Sequence, residues 1–162
     1  MTRSSLRWTA FAVALAVALL AAPSVLAHCQ VPCGIYGDET RFVIMEEDVT
    51  TIEKSMKEII RLSAEETPNW NQLVRWVENK EDHADKLTEV VTYYFMAQRI
   101  KPPATSVGDE YKKYVHELSI LHRMMVHAMK AKQTTDLAEV AKLRELIAAL
   151  KTSYLGEQGH SH

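Results

Sequence analysis

The residues with the richest chemistry lie in one short segment, His28-Cys29-Gln30-Val31-Pro32-Cys33-Gly34-Ile35-Tyr36. The segment holds both cysteines of the chain, four residues apart and beside an imidazole. Thiolates and imidazoles are ligands of soft and borderline transition metals. Pro32 and Gly34 exclude a regular helix here and favour a tight turn, which brings the two sulfur atoms together. The segment is therefore a candidate metal site.

Residues 1–27 have the pattern of a secretory signal peptide. Arg3 and Arg7 give the segment a positive start, and residues 11–22 form an uninterrupted apolar run. That run is shorter than the roughly 20 residues that a membrane span needs, and an uncleaved membrane anchor is the alternative. Cleavage after Ala27 would add a free α-amine to the neighbouring metal ligands. The predicted location of the mature protein is periplasmic or secreted.

The charge and cysteine content of the chain exclude other classes of protein. Removal of residues 1–27 takes away two basic residues and no acidic ones, which changes the formal net charge from −2 to −4. No basic stripe interleaved with aromatic residues is present, so nucleic acid is not a predicted partner. After cleavage no stable membrane association is expected. Two cysteines are too few for a disulfide-stapled scaffold, although a local disulfide or idle thiols are the alternative for Cys29 and Cys33.

Downstream of this segment the apolar residues recur at helical spacing, and no segment has a strand period. The apolar positions of the four predicted helices are Met45, Val49, Ile52, Met56 and Ile59; Leu73, Val77, Ala84, Leu87, Val91 and Tyr94; Tyr111, Tyr114, Leu118, Leu121, Met125 and Ala128; and Val140, Leu143, Ile147, Leu150 and Tyr154. Lys80 and Gln98 interrupt the second stripe. Four amphipathic helices with short connections predict an all-α, antiparallel four-helix bundle over residues 37–162, with a non-helical metal-binding hook at residues 28–36.

The order of ligands in this hook suggests how it holds a metal. With His28 as the first residue, its α-amine, the backbone nitrogen of Cys29 and the Cys29 sulfur form two fused five-membered chelate rings. Cys33 completes a plane of two nitrogen and two sulfur atoms, and the His28 imidazole is free to take an axial position. Square-planar sets of this kind suit Ni(II) or Cu(II), whereas Zn(II) prefers a tetrahedron. An α-amine has an ordinary pKa of about 7.7–8.0, so its deprotonation costs little near neutral pH.

The motif His28-Cys29-x-x-Pro32-Cys33-Gly34-x-Tyr36, at the head of a predicted four-helix chain, resembles that of nickel-containing superoxide dismutases. The resemblance implies that His28, Cys29 and Cys33 bind the metal, and that a cis peptide bond precedes Pro32. It places Tyr36 beside the open coordination position, although a tyrosine considered alone is an ordinary surface or interface aromatic. The predicted catalytic residues are therefore His28, Cys29, Cys33 and Tyr36.

The same resemblance implies the activity and the assembly. The expected enzyme is a nickel-dependent superoxide dismutase that converts superoxide to dioxygen and hydrogen peroxide by Ni(III)/Ni(II) cycling. It would carry one nickel ion per subunit and assemble as a homohexamer of four-helix bundles. Thiolates and a deprotonated amide suit this chemistry, because they push electron density onto nickel and stabilise its higher oxidation state. Lysine and arginine side chains around the hook would attract the superoxide anion.

Some positions depart from the pattern of the family. Gln30 stands where some relatives have aspartate, so a hydrogen bond from that position need not be preserved. Family members can also orient the N-terminal imidazole through an acid on the first helix and a base on the second. Met45 falls near the expected acid, with Glu46 and Glu47 as neighbours, and His83 is a candidate for the base.

Two other functions are consistent with parts of the pattern. A non-catalytic periplasmic bundle that binds nickel or copper would share the hook but would not turn over superoxide. A helical interaction protein with an incidental disulfide would bind no stoichiometric metal. Residues 122–129 contain two histidines and three methionines and resemble a copper-handling tract, but its methionines are better explained by packing in the bundle.

Overall fold

A computed structural model of the protein describes residues 37–156. The described chain forms four helices: α1 (Asp38–Ser63), α2 (Trp70–Glu89), α3 (Asp109–Gln133) and α4 (Leu137–Leu155). Helix α2 continues directly into a π-helical segment, Val90–Arg99. Residues 37–156 contain no strand. The predicted signal peptide, the hook and residues 157–162 lie outside the described residues.

Each of the four helices packs against two others, its neighbours in the bundle. Contacts join α1 to α2, α2 to α3, α3 to α4 and α4 to α1. Short connections between consecutive helices make each one antiparallel to the next. The prediction of an all-α, antiparallel four-helix bundle is therefore confirmed. Within the described part of the chain, no helix combines the length and apolar character that crossing a membrane requires.

The predicted core stripes of the first and last helices are confirmed, since every one of their positions is buried. The stripe of α3 is only partly correct. Leu121 and Ala128 are buried as predicted, but Ile120 and Met124, which were not predicted, are buried as well. The other four predicted positions are only partly buried: Tyr111, Tyr114, Leu118 and Met125. Helix α3 contacts both α2 and α4, so its buried face is broader than one stripe and is centred differently.

Lys80, which interrupts the predicted stripe of α2, is buried for a structural reason. Its Nζ donates to the backbone carbonyls of Ala131 at 2.9 Å, Lys132 at 2.5 Å and Thr134 at 3.2 Å. These carbonyls belong to the C-terminal end of α3, where helical acceptors lack partners within the helix. Burial lowers the pKa of Lys80. The ammonium group therefore caps α3 and joins it to α2.

The π-helical segment changes the register of the second helix. Its last hydrogen bond runs from the backbone N–H of Ile100 to the carbonyl of Phe95, five residues earlier, at 2.9 Å. This wider turn lets both Tyr94 and Phe95 enter the core. A regular period of 3.6 residues predicted Tyr94 but not Phe95. The segment brings a second aromatic ring to this end of the bundle.

Candidate metal centre

The predicted ligands His28, Cys29 and Cys33, together with Tyr36, precede the described residues, and their placement stays a prediction. The covalent chain nevertheless fixes where they are attached. Tyr36 is bonded to Gly37, the N-cap residue of α1. The hook is therefore joined to the bundle at the end that contains the start of α1, the end of the π-helical segment and the end of α4.

The first residue of α1 organises a polar cluster at that end. Both oxygen atoms of Asp38 accept hydrogen bonds: Tyr94 OH donates to Oδ1, and Tyr154 OH donates to Oδ2 at 2.8 Å. The Nη2 atom of Arg99 lies 2.9 Å from Asp38 Oδ1 and also donates to Tyr94 OH at 2.9 Å. We call these four residues the Asp38 hub. The hub ties α1 to the π-helical segment and to α4.

Burial and hydrogen bonding raise the pKa values of three members of the hub, the two tyrosines and Arg99. Burial, reinforced by the hydrogen bonds to Asp38, raises the pKa values of Tyr94 and Tyr154. Both hydroxyls therefore remain protonated donors well above neutral pH. The hydrogen bond to Tyr94 raises the pKa of Arg99. The guanidinium of Arg99 also lies 5.0 Å from the centroid of the Tyr94 ring, and that of Arg41 lies 4.9 Å from it.

Aromatic rings form an apolar floor under the hub. Phe95 lies 5.3 Å from the Tyr94 ring and 5.6 Å from the Tyr154 ring, in both cases edge to face. Phe42 packs against Phe95 at 5.2 Å. Edge-to-face pairs of this kind add to the stabilisation that burial itself provides. The carboxylate of Asp38 is therefore held above a rigid layer.

A cleft beside the hub carries more positive than negative groups. It has a volume of about 350 Å³. Its cationic lining residues are Arg99, Lys101 and Lys113, and its two carboxylates are Glu110 and Glu117. Since Arg99 also belongs to the hub, the cleft opens at the end of the bundle where the hook is attached. Because Arg99 is paired with Asp38, the attraction of the cleft for a small anion depends mainly on Lys101 and Lys113.

The structure describes the candidate acid and base positions on α1 and α2, and their relation to the His28 imidazole stays a prediction. Met45 is fully buried in the apolar core. Glu46 and Glu47 line a separate cleft between α1 and α4, away from α2. The Nδ1 atom of His83 instead lies 2.7 Å from Oδ1 of Asp48, an acid that the sequence analysis did not single out.

Asp48 is an unusual core residue. Its side chain is buried, and Oδ2 has no hydrogen-bond partner among residues 37–156. Burial raises its pKa, and this effect outweighs the opposing hydrogen bond with His83. The sequence contained a signal for this buried acid. Asp48 follows the core position Met45 by three residues, and this spacing places both residues on the same face of the helix.

The described residues contain no alternative metal centre. Among residues 37–156, no three side chains of His, Cys, Asp or Glu come together as a metal site. In the copper-like tract, the Nδ1 atom of His127 lies 2.5 Å from Oε2 of Glu139 at the start of α4, and His122 is exposed. Both cysteines of the sequence lie within residues 28–36.

Comparison with known protein families decides what this chain is. The model of nickel-containing superoxide dismutase matches residues 23–158, which include the hook motif and the whole described bundle. The chain belongs to the nickel-containing superoxide dismutase family. It is thus an oxidoreductase that acts on superoxide and uses nickel as its cofactor. No curated protein and no solved structure matches the chain significantly.

The donor set of the hook fits this nickel. Thiolate sulfur, an amine and an imidazole are ligands that nickel accepts, and thiolates favour its higher oxidation state. The described helices offer no comparable set of donors. The rest of the mature chain, residues 157–162, contains two histidines and no cysteine.

Proposed function

We propose that this nickel superoxide dismutase binds its metal through His28, Cys29 and Cys33, after removal of residues 1–27. The family match over residues 23–158 carries the proposal, because it includes the one segment of the mature chain with thiol ligands. The α-amine of His28 and the backbone nitrogen of Cys29 complete the proposed donor set. Bound nickel supplies one-electron chemistry, alternating between Ni(III) and Ni(II) as it oxidises one superoxide and reduces another.

The side chains of the hook have separate tasks in this proposal. The thiolates of Cys29 and Cys33 donate electron density, which neutral hydroxyl groups cannot match. The imidazole of His28 would supply a further nitrogen ligand to the metal. Tyr36 would order the small superoxide anion near the bound metal. The two protons needed for hydrogen peroxide come from solvent, since the hub tyrosines hold their protons too tightly to release them at neutral pH.

The cleft lined by Arg99, Lys101 and Lys113 is the proposed approach for superoxide. Opposite charge attracts a diffusing anion and raises its local concentration, and salt screens this attraction. The mature chain has a formal charge of −4, so the attraction depends on where individual cations lie and not on the total charge. Glu110, Glu117 and the Asp38 partner of Arg99 weaken that attraction.

Secretion and assembly complete the proposal. The pattern of residues 1–27 supports export to the periplasm or beyond. The family resemblance supports a homohexamer. Large apolar side chains on the described surface are consistent with association of subunits, among them Trp70, which is 68% exposed, and Val107, which is 75% exposed. The non-catalytic metal-binding alternative is not favoured, since the family is one of enzymes.

Mass spectrometry of the exported protein, combined with nickel analysis, tests this function. The mature protein should begin at His28 and contain one nickel ion per subunit. His28→Ala should retain stoichiometric nickel, because the α-amine, the amide and both thiolates remain. It should also lose most of its dismutation and the axial-nitrogen signature of Ni(III) in electron paramagnetic resonance. Unchanged turnover in His28→Ala would show that the imidazole is dispensable.

A further inference from the structure

The Asp38 hub contains more interactions than helix capping requires. Acidic residues are common in the first turn of a helix, because they compensate the partial positive charge there. Asp109, the first residue of α3, is such a case: its side chain is 96% exposed and pairs only with Lys112, one turn away. The Asp38 side chain is 15% exposed and receives three donors, all from outside its own helix.

The π-helical segment is what places two of those donors together. Tyr94 and Arg99 are five residues apart, and in a regular α-helix they would point about 140° away from each other. Hydrogen bonds between residues five apart bring them to one face instead. Arg99 Nη2 can then contact both Tyr94 OH and Asp38 Oδ1. π-Helical turns occur frequently at functional sites.

The hub is also close to the metal-binding segment along the chain. Tyr36 precedes Asp38 by two residues, so their Cα atoms are no more than about 7 Å apart. Gly37 is the one residue between Tyr36 and the first turn of α1, so the position of that turn limits where Tyr36 can lie. Arg99 connects the same turn to the cationic cleft.

We propose that Asp38 is a positioning residue for the nickel site. Its hydrogen bonds fix the start of α1, to which the hook is attached, against the π-helical segment and α4. The proposal rests on the proposed function, because it assumes that His28, Cys29 and Cys33 bind the metal. Asp38 does not contact nickel or superoxide in this account. It acts by holding the peptide from which the ligands extend.

A comparison of three variants tests this role. Asp38→Asn keeps the size of the side chain and removes the charge that Arg99 and both tyrosines contact. Asp109→Asn is the matched control, because it removes the same charge from the first turn of another helix at the same end of the bundle. Leu143→Ala, near the start of α4, is the control for general destabilisation, since it empties a fully buried position at the opposite end.

The measurements are the affinity for Ni(II), the thiolate-to-nickel absorption and the electron paramagnetic resonance spectrum of the oxidised protein, all taken well below the midpoint of thermal unfolding. Asp38→Asn should weaken nickel binding several-fold, which is less than the roughly 10–100-fold loss that follows removal of a direct hydrogen-bond partner of a metal ligand. It should also broaden or shift the axial-nitrogen signal. Asp109→Asn and Leu143→Ala should leave the nickel affinity and the axial-nitrogen signal unchanged, although Leu143→Ala should unfold at a lower temperature.

The outcomes separate this inference from the function on which it rests. Nickel affinity and spectra of Asp38→Asn equal to those of the unmodified protein would overturn the positioning role. If the unmodified protein bound nickel no better than Cys29→Ser, the proposed function itself would fail. Should Asp38→Asn not fold, Tyr154→Phe removes one donor alone. It should weaken nickel binding by a smaller factor, and unchanged binding would again overturn the inference.

Discussion

Two charged side chains at opposite ends of the bundle, Asp38 and Lys80, are stabilised in different ways. Lys80 is buried and donates to three backbone carbonyls at the end of α3, with the carboxylate of Glu81 at 3.5 Å on its own helix. Asp38 is bound by side chains from two other elements and follows Tyr36, the last residue of the proposed metal-binding segment, by two positions. The ammonium of Lys80, bound mainly by backbone carbonyls, caps a helix. The carboxylate of Asp38, bound by side chains, fixes the relative positions of three elements beside the proposed metal-binding segment.

The largest expected effect comes from the thiols of the hook. Cys29→Ser or Cys33→Ser should each abolish dismutation and the thiolate-to-nickel absorption. The helices should be retained, because both residues precede the bundle. Superoxide decay followed by pulse radiolysis, with circular dichroism on the same samples, measures both effects. Near-normal turnover in either variant would contradict a mechanism with two thiolates.

Lys80→Met should destabilise the bundle without affecting the chemistry. Methionine keeps the length of the stem but leaves the carbonyl acceptors at the end of α3 without their donor, at an expected cost of about 3 kcal/mol in the free energy of unfolding. Denaturant unfolding measures this loss. Turnover per bound nickel should equal that of the unmodified protein. A lower turnover per nickel would show that the end of the bundle around Lys80 also affects the chemistry, which would contradict the proposed difference between the two ends.

Tyr154→Phe should have a smaller effect on stability. It removes one hydrogen bond to a charged acceptor and keeps the aromatic packing, so the free energy of unfolding should fall by about 1.5–3 kcal/mol. Ser153→Ala is a useful comparison, because the neighbouring hydroxyl donates to Glu117 rather than to the hub. If the two variants were equally stable and bound nickel equally well, the hub would have no special role at this end.

As the pH rises into the alkaline range, the contributions of Tyr154 and Lys80 to the free energy of unfolding should change in opposite directions. Burial raises the pKa of Tyr154 above its ordinary 10.0, so the folded state holds this proton more tightly, and the associated stability is lost as the pH rises through the folded-state pKa. Burial lowers the pKa of Lys80 below its ordinary 10.5, so the unfolded state binds this proton more tightly. Stability associated with Lys80 therefore increases as the pH rises through its folded-state pKa towards 10.5.

Denaturant unfolding across this alkaline range checks the signs. Compared with the unmodified protein, Tyr154→Phe should lose less stability as the pH rises, and Lys80→Met should lack the gain. If the free energy of unfolding changed with pH in the same way in all three proteins, the pKa directions assigned to Tyr154 and Lys80 would be contradicted. The expected differences are the smallest of this series, because each reflects the titration of a single group.

The sequence predicts most of this bundle but not its ends. Every position that periodicity predicted for α1 and α4 is buried, because each helix presents an apolar stripe to the core, although other buried residues such as Phe42, Asp48 and Leu146 were missed. Periodicity missed Phe95 because the π-helical segment departs from the period of 3.6 residues. It recorded Lys80 only as an interruption, since the carbonyls that bind it come from residues more than 50 positions away.

The hub was absent from the sequence analysis for a similar reason. Asp38 contacts side chains 56 and 116 positions away, and no local pattern reports such pairs. A signal was nevertheless present: Tyr94 and Tyr154 fell on predicted core stripes, and the hydroxyl of a buried tyrosine needs a hydrogen-bond partner. The hook motif was visible because its ligands lie within six consecutive residues, 28–33.

The central claim is that a free α-amine at His28 is a nickel ligand, and one pair of proteins tests it most directly. The first begins at His28 and the second carries a single alanine ahead of it, with every other residue unchanged. The account predicts stoichiometric nickel and rapid superoxide decay for the first protein. It predicts loss of dismutation for the second, with the bundle still folded. Equal dismutation by the two proteins would contradict the claim.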